Sequence, residues 1–158
     1  MTNEVDARHL ARCVELAAEA LAAGDQPFGS ILVSAEGRVL REERNHVGDG
    51  DHTRHPELAL ALWAVARLTP EERSGATVYT TGEHCPMCAA AHGWVGLGPI
   101  VFAVSSEQLG AWLAEWGVPA GPVVCPPIGE IAPGVSVRGP VPEFVEPVRA
   151  LHERMHRS

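Results

Sequence analysis

Apolar residues at Leu10, Cys13, Ala17 and Leu21 recur at the spacing of one helix face, and the alanine-rich stretch around them predicts a helix over 5–23, closed by Gly24. The period then changes. Pro27-Phe28-Gly29 leads into Ser30-Ile31-Leu32-Val33, a short apolar run suited to a buried strand. Ala35-Glu36-Gly37 turns the chain, and 38–42 returns as the hairpin partner. A polar loop over 45–54, rich in Gly, Asp and His, delivers His55 to a helix over 56–68, with Pro56 tolerated in its first turn. Further strands are predicted over 76–81 and 100–104, and between them a helix begins near Cys85 and ends around Gly96. A short helix over 107–116 and a terminal helix over 145–156 complete the pattern. The order helix, hairpin, helix, strand, helix, strand defines an α/β class, one mixed sheet with helices on both faces.

The stretch 117–147 breaks this rhythm, since eight of the thirteen prolines lie in it. It is too long for an idle loop in a compact domain, so it is expected to wrap the surface or close over the site as a lid. The 158 residues fit one domain, and no internal repeat is visible.

The formal net charge of −8, from 12 basic and 20 acidic residues, argues against a nucleic-acid partner, because acidic residues interrupt every local basic cluster. The N-terminus lacks an apolar signal core, and no stretch approaches the length of a membrane span. Of the four cysteines, Cys85 and Cys88 are spaced as a metal pair. Cys13 and Cys125 read as buried free thiols. A reducing cytoplasm is the expected compartment.

The chemistry concentrates in His55-Pro56-Glu57 and Cys85-Pro86-Met87-Cys88. One imidazole and two thiolates supply three ligands for a zinc ion, which prefers four partners, so one position stays open for water or substrate. Both halves fall at predicted helix starts, where the positive end of the dipole favours thiolates and the Glu57 carboxylate. A lone Cys-x-x-Cys is weak evidence, shared with redox motifs and structural zinc sites; joined to His-x-Glu it follows the general pattern of zinc deaminases.

With these residues the chain resembles the cytidine-deaminase-like superfamily, in the branch of bacterial guanine deaminases and tRNA adenosine deaminases. That branch reads Pro-Phe/Val-Gly-Ala, then Asn, then Asp-Pro-Thr-Ala-His-Ala-Glu, then Glu-Pro-Cys-x-Met-Cys. Here stand Pro27-Phe28-Gly29-Ser30, Asn45, Asp51-His52-Thr53-Arg54-His55-Pro56-Glu57 and Glu83-His84-Cys85-Pro86-Met87-Cys88. The resemblance spans roughly 10–104. It implies a three-layer α/β/α domain with a mixed five-stranded sheet, one zinc ion and a homodimer. His55, Cys85 and Cys88 carry over as zinc ligands, Glu57 as the proton shuttle, Asn45 as a polar contact to base or ribose, Phe28 as an apolar wall, and Trp94 as an aromatic position of the guanine enzymes. Asn45 is alternatively a turn residue, Phe28 and Trp94 are equally read as core, and His84 and His92 are read as incidental polar residues. His84 replaces a proline, Gly82 a cysteine or leucine, and Pro56 and Arg54 alanines. The aspartate that guanine deaminases carry after the fourth strand has no clear equivalent; Glu115 is the candidate. The implied activity is hydrolytic deamination of an amino-substituted purine base or nucleoside, guanine or guanosine in type. The alternatives are cytosine, another pyrimidine or a triazine-like ring, then tRNA adenosine, then a zinc-binding module without catalysis.

Overall fold

In the computed structural model, which describes residues 3–157, helix α1 (Glu4–Ala22) opens on Asn3, whose side chain accepts the Asp6 N–H. Strands β1 (Gly29–Val33) and β2 (Val39–Arg44) form the antiparallel hairpin. After the polar loop come α2 (Pro56–Arg67), the short α3 (Pro70–Ser74), β3 (Thr77–Gly82), α4 (Pro86–Val95), β4 (Ile100–Val104) and α5 (Ser106–Glu115). A two-residue strand β5 (Val137–Arg138) and helix α6 (Pro142–Arg157) end the chain. The sheet runs β2-β1-β3-β4-β5, with β1 antiparallel to β2 and β3, and with β3, β4 and β5 parallel. This is the mixed five-stranded α/β/α sheet that the resemblance implies.

Side chains alternate across the strands and build a core on each face. Ile31, Val33, Val101 and Ala103 pack with Leu10, Cys13 and Leu16 of α1 and Val148 of α6. Leu32, Ile100 and Phe102 face the other way, against Leu60, Ala61 and Ala64 of α2 and Ala89 of α4. Strands covered on both faces read as continuous apolar runs, and β1 and β4 are buried throughout. The approach of α1 to β1 depends on Gly29, where a Cβ would collide with the Cys13 carbonyl and the Leu16 Cβ. That contact also fixes the backbone of the preceding residue, Phe28.

Three elements differ from the pattern-based reading. Helix α3 is set by a capping box, with the Thr69 hydroxyl accepting the Glu72 N–H and the Glu72 carboxylate accepting the Thr69 N–H. Strand β5 has no periodic signal, because its two residues are exposed and it exists only by pairing with β4. Helix α6 starts at Pro142, earlier than 145, and contains Pro147. Among the described residues no helix is long and apolar enough to cross a membrane.

A candidate metal centre at two helix N-termini

The loop after β2 ends at His55, the N-cap of α2; the residues after β3 end at Cys85, the N-cap of α4. In each helix a proline occupies the first turn, where its missing N–H costs nothing. Helices α2 and α4 pack side by side, so their first turns meet. The His55 Nδ1 stands 3.5 Å from the Cys85 Sγ and 3.5 Å from the Cys88 Sγ, and the three donor atoms lie within 4.8 Å of one another.

These donors fit zinc. A tetrahedral ion with Zn–N near 2.05 Å and Zn–S near 2.3 Å separates nitrogen from sulfur by about 3.5 Å, which is the spacing found. Their proton affinities are strongly linked. Hydrogen bonding from Cys88, aided by His55, pushes the Cys85 thiol down to about 4 against the opposing effect of burial. Its bond to Cys85, then burial, pushes the Cys88 thiol up, and the contact with Cys85 raises His55. Such sharing of protons among soft donors aimed at one point is what a cation replaces when it binds.

Glu57, second residue of α2, is 6% exposed, and burial pushes its carboxyl up to about 7. Asn45 is 1% exposed. Its Oδ1 accepts the Gln26 N–H at 3.3 Å and the Val47 N–H at 3.0 Å, which fixes the orientation of the amide. Its Nδ2 is buried without a partner among the described residues. One end of the side chain thus serves the turn, and the other end stays unengaged among the described residues. The Asn45 backbone N–H donates to the Phe28 carbonyl at 3.1 Å, which ties these two residues together. Phe28 is half-buried, with its ring against Gly82, where a Cβ would stand 3.2 Å from Cε1.

Three expectations need correction. Trp94 walls no pocket within the chain: it follows Gly93 on the outer side of α4, opposite the buried Ala89 and His92, and is 90% exposed. Glu115 does not complete the site; it is exposed and pairs with Arg149 of α6 at 3.5 Å. Cys13 is buried as expected, but Cys125 is exposed, because its proline-rich segment lies on the surface. The His84 ring is buried edge-on against His92, and neither of its nitrogens has a hydrogen bond to a described residue, so burial, then His92, holds it neutral. The His92 Nε2 donates to the Gly98 carbonyl at 2.7 Å.

Two roles are not legible in the sequence, those of Glu83 and His152. The Glu83 carboxylate accepts the Ser106 N–H at 2.9 Å and the Ile128 N–H at 2.7 Å, fastening the start of α5 and the proline-rich segment to the loop that carries Cys85. His152 of α6 is 3% exposed and stands edge-on to Phe28, with ring centroids 5.0 Å apart.

Fold and site together define an α/β/α protein with an open zinc centre at two helix N-termini. The chain belongs to the family of the cytidine and deoxycytidylate deaminase zinc-binding region, which matches residues 3–104. A probable cytosine deaminase of Schizosaccharomyces pombe is 34% identical over 109 residues, covering 68% of this chain and 65% of that protein. Guanine deaminase of Bacillus subtilis is 33% identical over 96 residues, 60% of this chain and 61% of that protein. The chain thus spans less than two thirds of either relative. In fold it is similar to guanine deaminase from Nitrosomonas europaea, with a TM-score of 0.74 over 100% of this chain and 87% of that one, at 20% identity.

Proposed function

We propose that this chain hydrolytically deaminates a small amino-substituted nitrogen heterocycle, a purine base or nucleoside of guanine type, and releases ammonia. The observation that carries this reading is the buried Glu57 carboxyl, two residues after His55 in the first turn of α2 and electrostatically coupled to His55 and Cys85 of the three-donor cluster with Cys88. Zinc held by those three residues would acidify a water molecule, making hydroxide available near neutral pH. Glu57 takes one proton from the attacking water and delivers it to the ring nitrogen; it then takes the hydroxyl proton of the resulting adduct and passes it to the amino group, which leaves as ammonia as the C–N bond breaks and the carbonyl forms. Burial suits it to both tasks by keeping its proton affinity near the working pH. The free Asn45 Nδ2 donates to an oxygen of the substrate, and Phe28 covers one face of the ring. In this reading residues 3–157 form one deaminase domain, and 117–147 wraps past the site, held there by Glu83.

The formal charge of −8 supports a small substrate over tRNA. The four free thiols suit a reducing cytoplasm. Helices α2 and α4 expose Leu62, Val65 and Trp94, and apolar side chains on the outer side of such helices suit contact with a second copy. Trp94 then serves as an anchor of a homodimer rather than as a pocket wall. A monomer by sedimentation at micromolar concentration would remove that part.

The identity to the probable cytosine deaminase supports a second reading, in which the ring is a pyrimidine. Ammonia release by the zinc-loaded protein across bases, nucleosides and triazines separates the two. Turnover of guanine or guanosine above all others supports the first reading, and preference for cytosine the second. Stoichiometric zinc with no turnover across the panel would defeat both and favour a zinc-binding module without catalysis.

A further inference from the structure

A small cavity of about 20 Å³ lies on the flank of the metal centre, between the ends of β3 and β4 and helices α5 and α6. None of the metal donors lines it. Its walls include Gly82 and Glu83, the residues just before His84-Cys85, together with Phe28, Ser105, Leu109 and His152. Such a volume holds about one water molecule or one small substituent. No second ring fits.

The lining is apolar except at a few points, and His152 is distinctive among them. It comes from α6, far along the chain from the metal motif, and it is 3% exposed. Its only described ring partner is Phe28. No hydrogen bond to another described residue engages its nitrogens. Burial, then the neighbouring His156, pushes its pKa down to about 4. At neutral pH it therefore offers one N–H donor and one nitrogen acceptor. A largely buried imidazole whose nitrogens bond no described residue and keep a little contact with solvent, lining a cavity of substituent size beside the Phe28 ring, is placed to read one polar group.

We propose that His152 is a specificity-determining residue, whose imidazole hydrogen-bonds a single small polar substituent, an oxo or amino group, on the edge of the heterocycle that enters this cavity. The inference rests on the deaminase reading above. Phe28 links the two regions, since its ring meets Gly82 on one side and His152 on the other. Gly82 matters for the same reason, because a Cβ there would press on Phe28 at 3.2 Å and shrink the space.

The test uses pairs of heterocycles that differ by one oxo group, guanine against 2-aminopurine and cytosine against 4-aminopyrimidine. Ammonia release is followed in the full-length zinc-loaded protein and in His152→Phe, His152→Gln and Gly82→Ala. A site that must satisfy a buried polar group rejects the analogue lacking its partner strongly. Wild type should prefer the oxo-bearing member of its active pair by about 100-fold in kcat/KM. His152→Phe should reduce that preference below about tenfold through KM, with kcat changed less than about threefold, and His152→Gln should restore part of it. Gly82→Ala should raise KM for the oxo-bearing member even if His152→Phe fails to fold. Unchanged discrimination in zinc-loaded His152→Phe, or unchanged KM in Gly82→Ala, overturns the inference and leaves the deaminase reading standing. No turnover by wild type on any member of either pair, nor on the wider panel, overturns both.

Discussion

Residues 3–104 and residues 105–157 differ in how they carry function. The first region holds all three metal donors, Glu57, Asn45 and Phe28, each fixed by a helix cap, a strand end or backbone hydrogen bonds close to it in sequence. The second has no metal donor. It reaches the site through two backbone N–H groups on Glu83 and through the buried face of α6. Chemistry is set by short-range order in the first region, whereas the cavity is closed jointly, by Phe28, Gly82 and Glu83 of the first and by Ser105, Leu109 and His152 of the second. Mutations at the donors and mutations in the second region's wall should therefore separate turnover from substrate choice.

The sharpest break of that contrast comes from the donors. Cys88→Ser should release zinc and abolish turnover, read as metal content and ammonia formation on the same sample. Asn45→Asp keeps an oxygen for the Gln26 and Val47 N–H groups but removes the free Nδ2 donor. It should lower kcat/KM by about 100-fold while the fold persists; a loss under threefold would return Asn45 to a turn residue.

Where the two regions meet, further effects are expected on stability. His152 has a folded pKa depressed to about 4 from an ordinary value of 6.5. Its contribution is complete above 6.5 and is lost as pH falls through 4, because the unfolded chain binds the proton first. Between about pH 7 and pH 5 this amounts to on the order of 2 kcal/mol. Denaturation midpoints at the two pH values should converge in His152→Phe relative to wild type. Glu83→Gln weakens two charge-assisted bonds and should cost about 1–2 kcal/mol. Faster proteolysis within 117–127 would report the loosened segment. Glu115→Ala breaks only an exposed pair with Arg149 and should change stability by less than about 0.5 kcal/mol and kinetics not at all.

The same contrast explains what the amino-acid sequence disclosed. His-x-Glu and Cys-x-x-Cys are local spacings at helix starts, so the metal centre and its flanking elements could be placed without coordinates. Strand β5 could not, since its two exposed residues are a strand only through β4. The bond from Ile128 to Glu83 crosses 45 residues, and nothing in either segment announces it. His152 reads in isolation as a polar residue on a terminal helix; its burial appears only when α6 meets Phe28. Trp94 shows the opposite failure. Its helical position was clear, but whether that side of α4 meets a pocket or solvent is decided by the packing of α2 and α4 against the sheet.

If the buried Glu57 carboxylate moves the protons at the three-donor zinc site, removing its charge should stop turnover and leave the metal in place. Ammonia release by wild type and by Glu57→Gln is measured on the best panel substrate, with zinc content determined in both. Equal zinc and a fall in kcat of at least about 10³-fold are expected in the variant. Equal zinc with kcat within tenfold of wild type would contradict that role of Glu57.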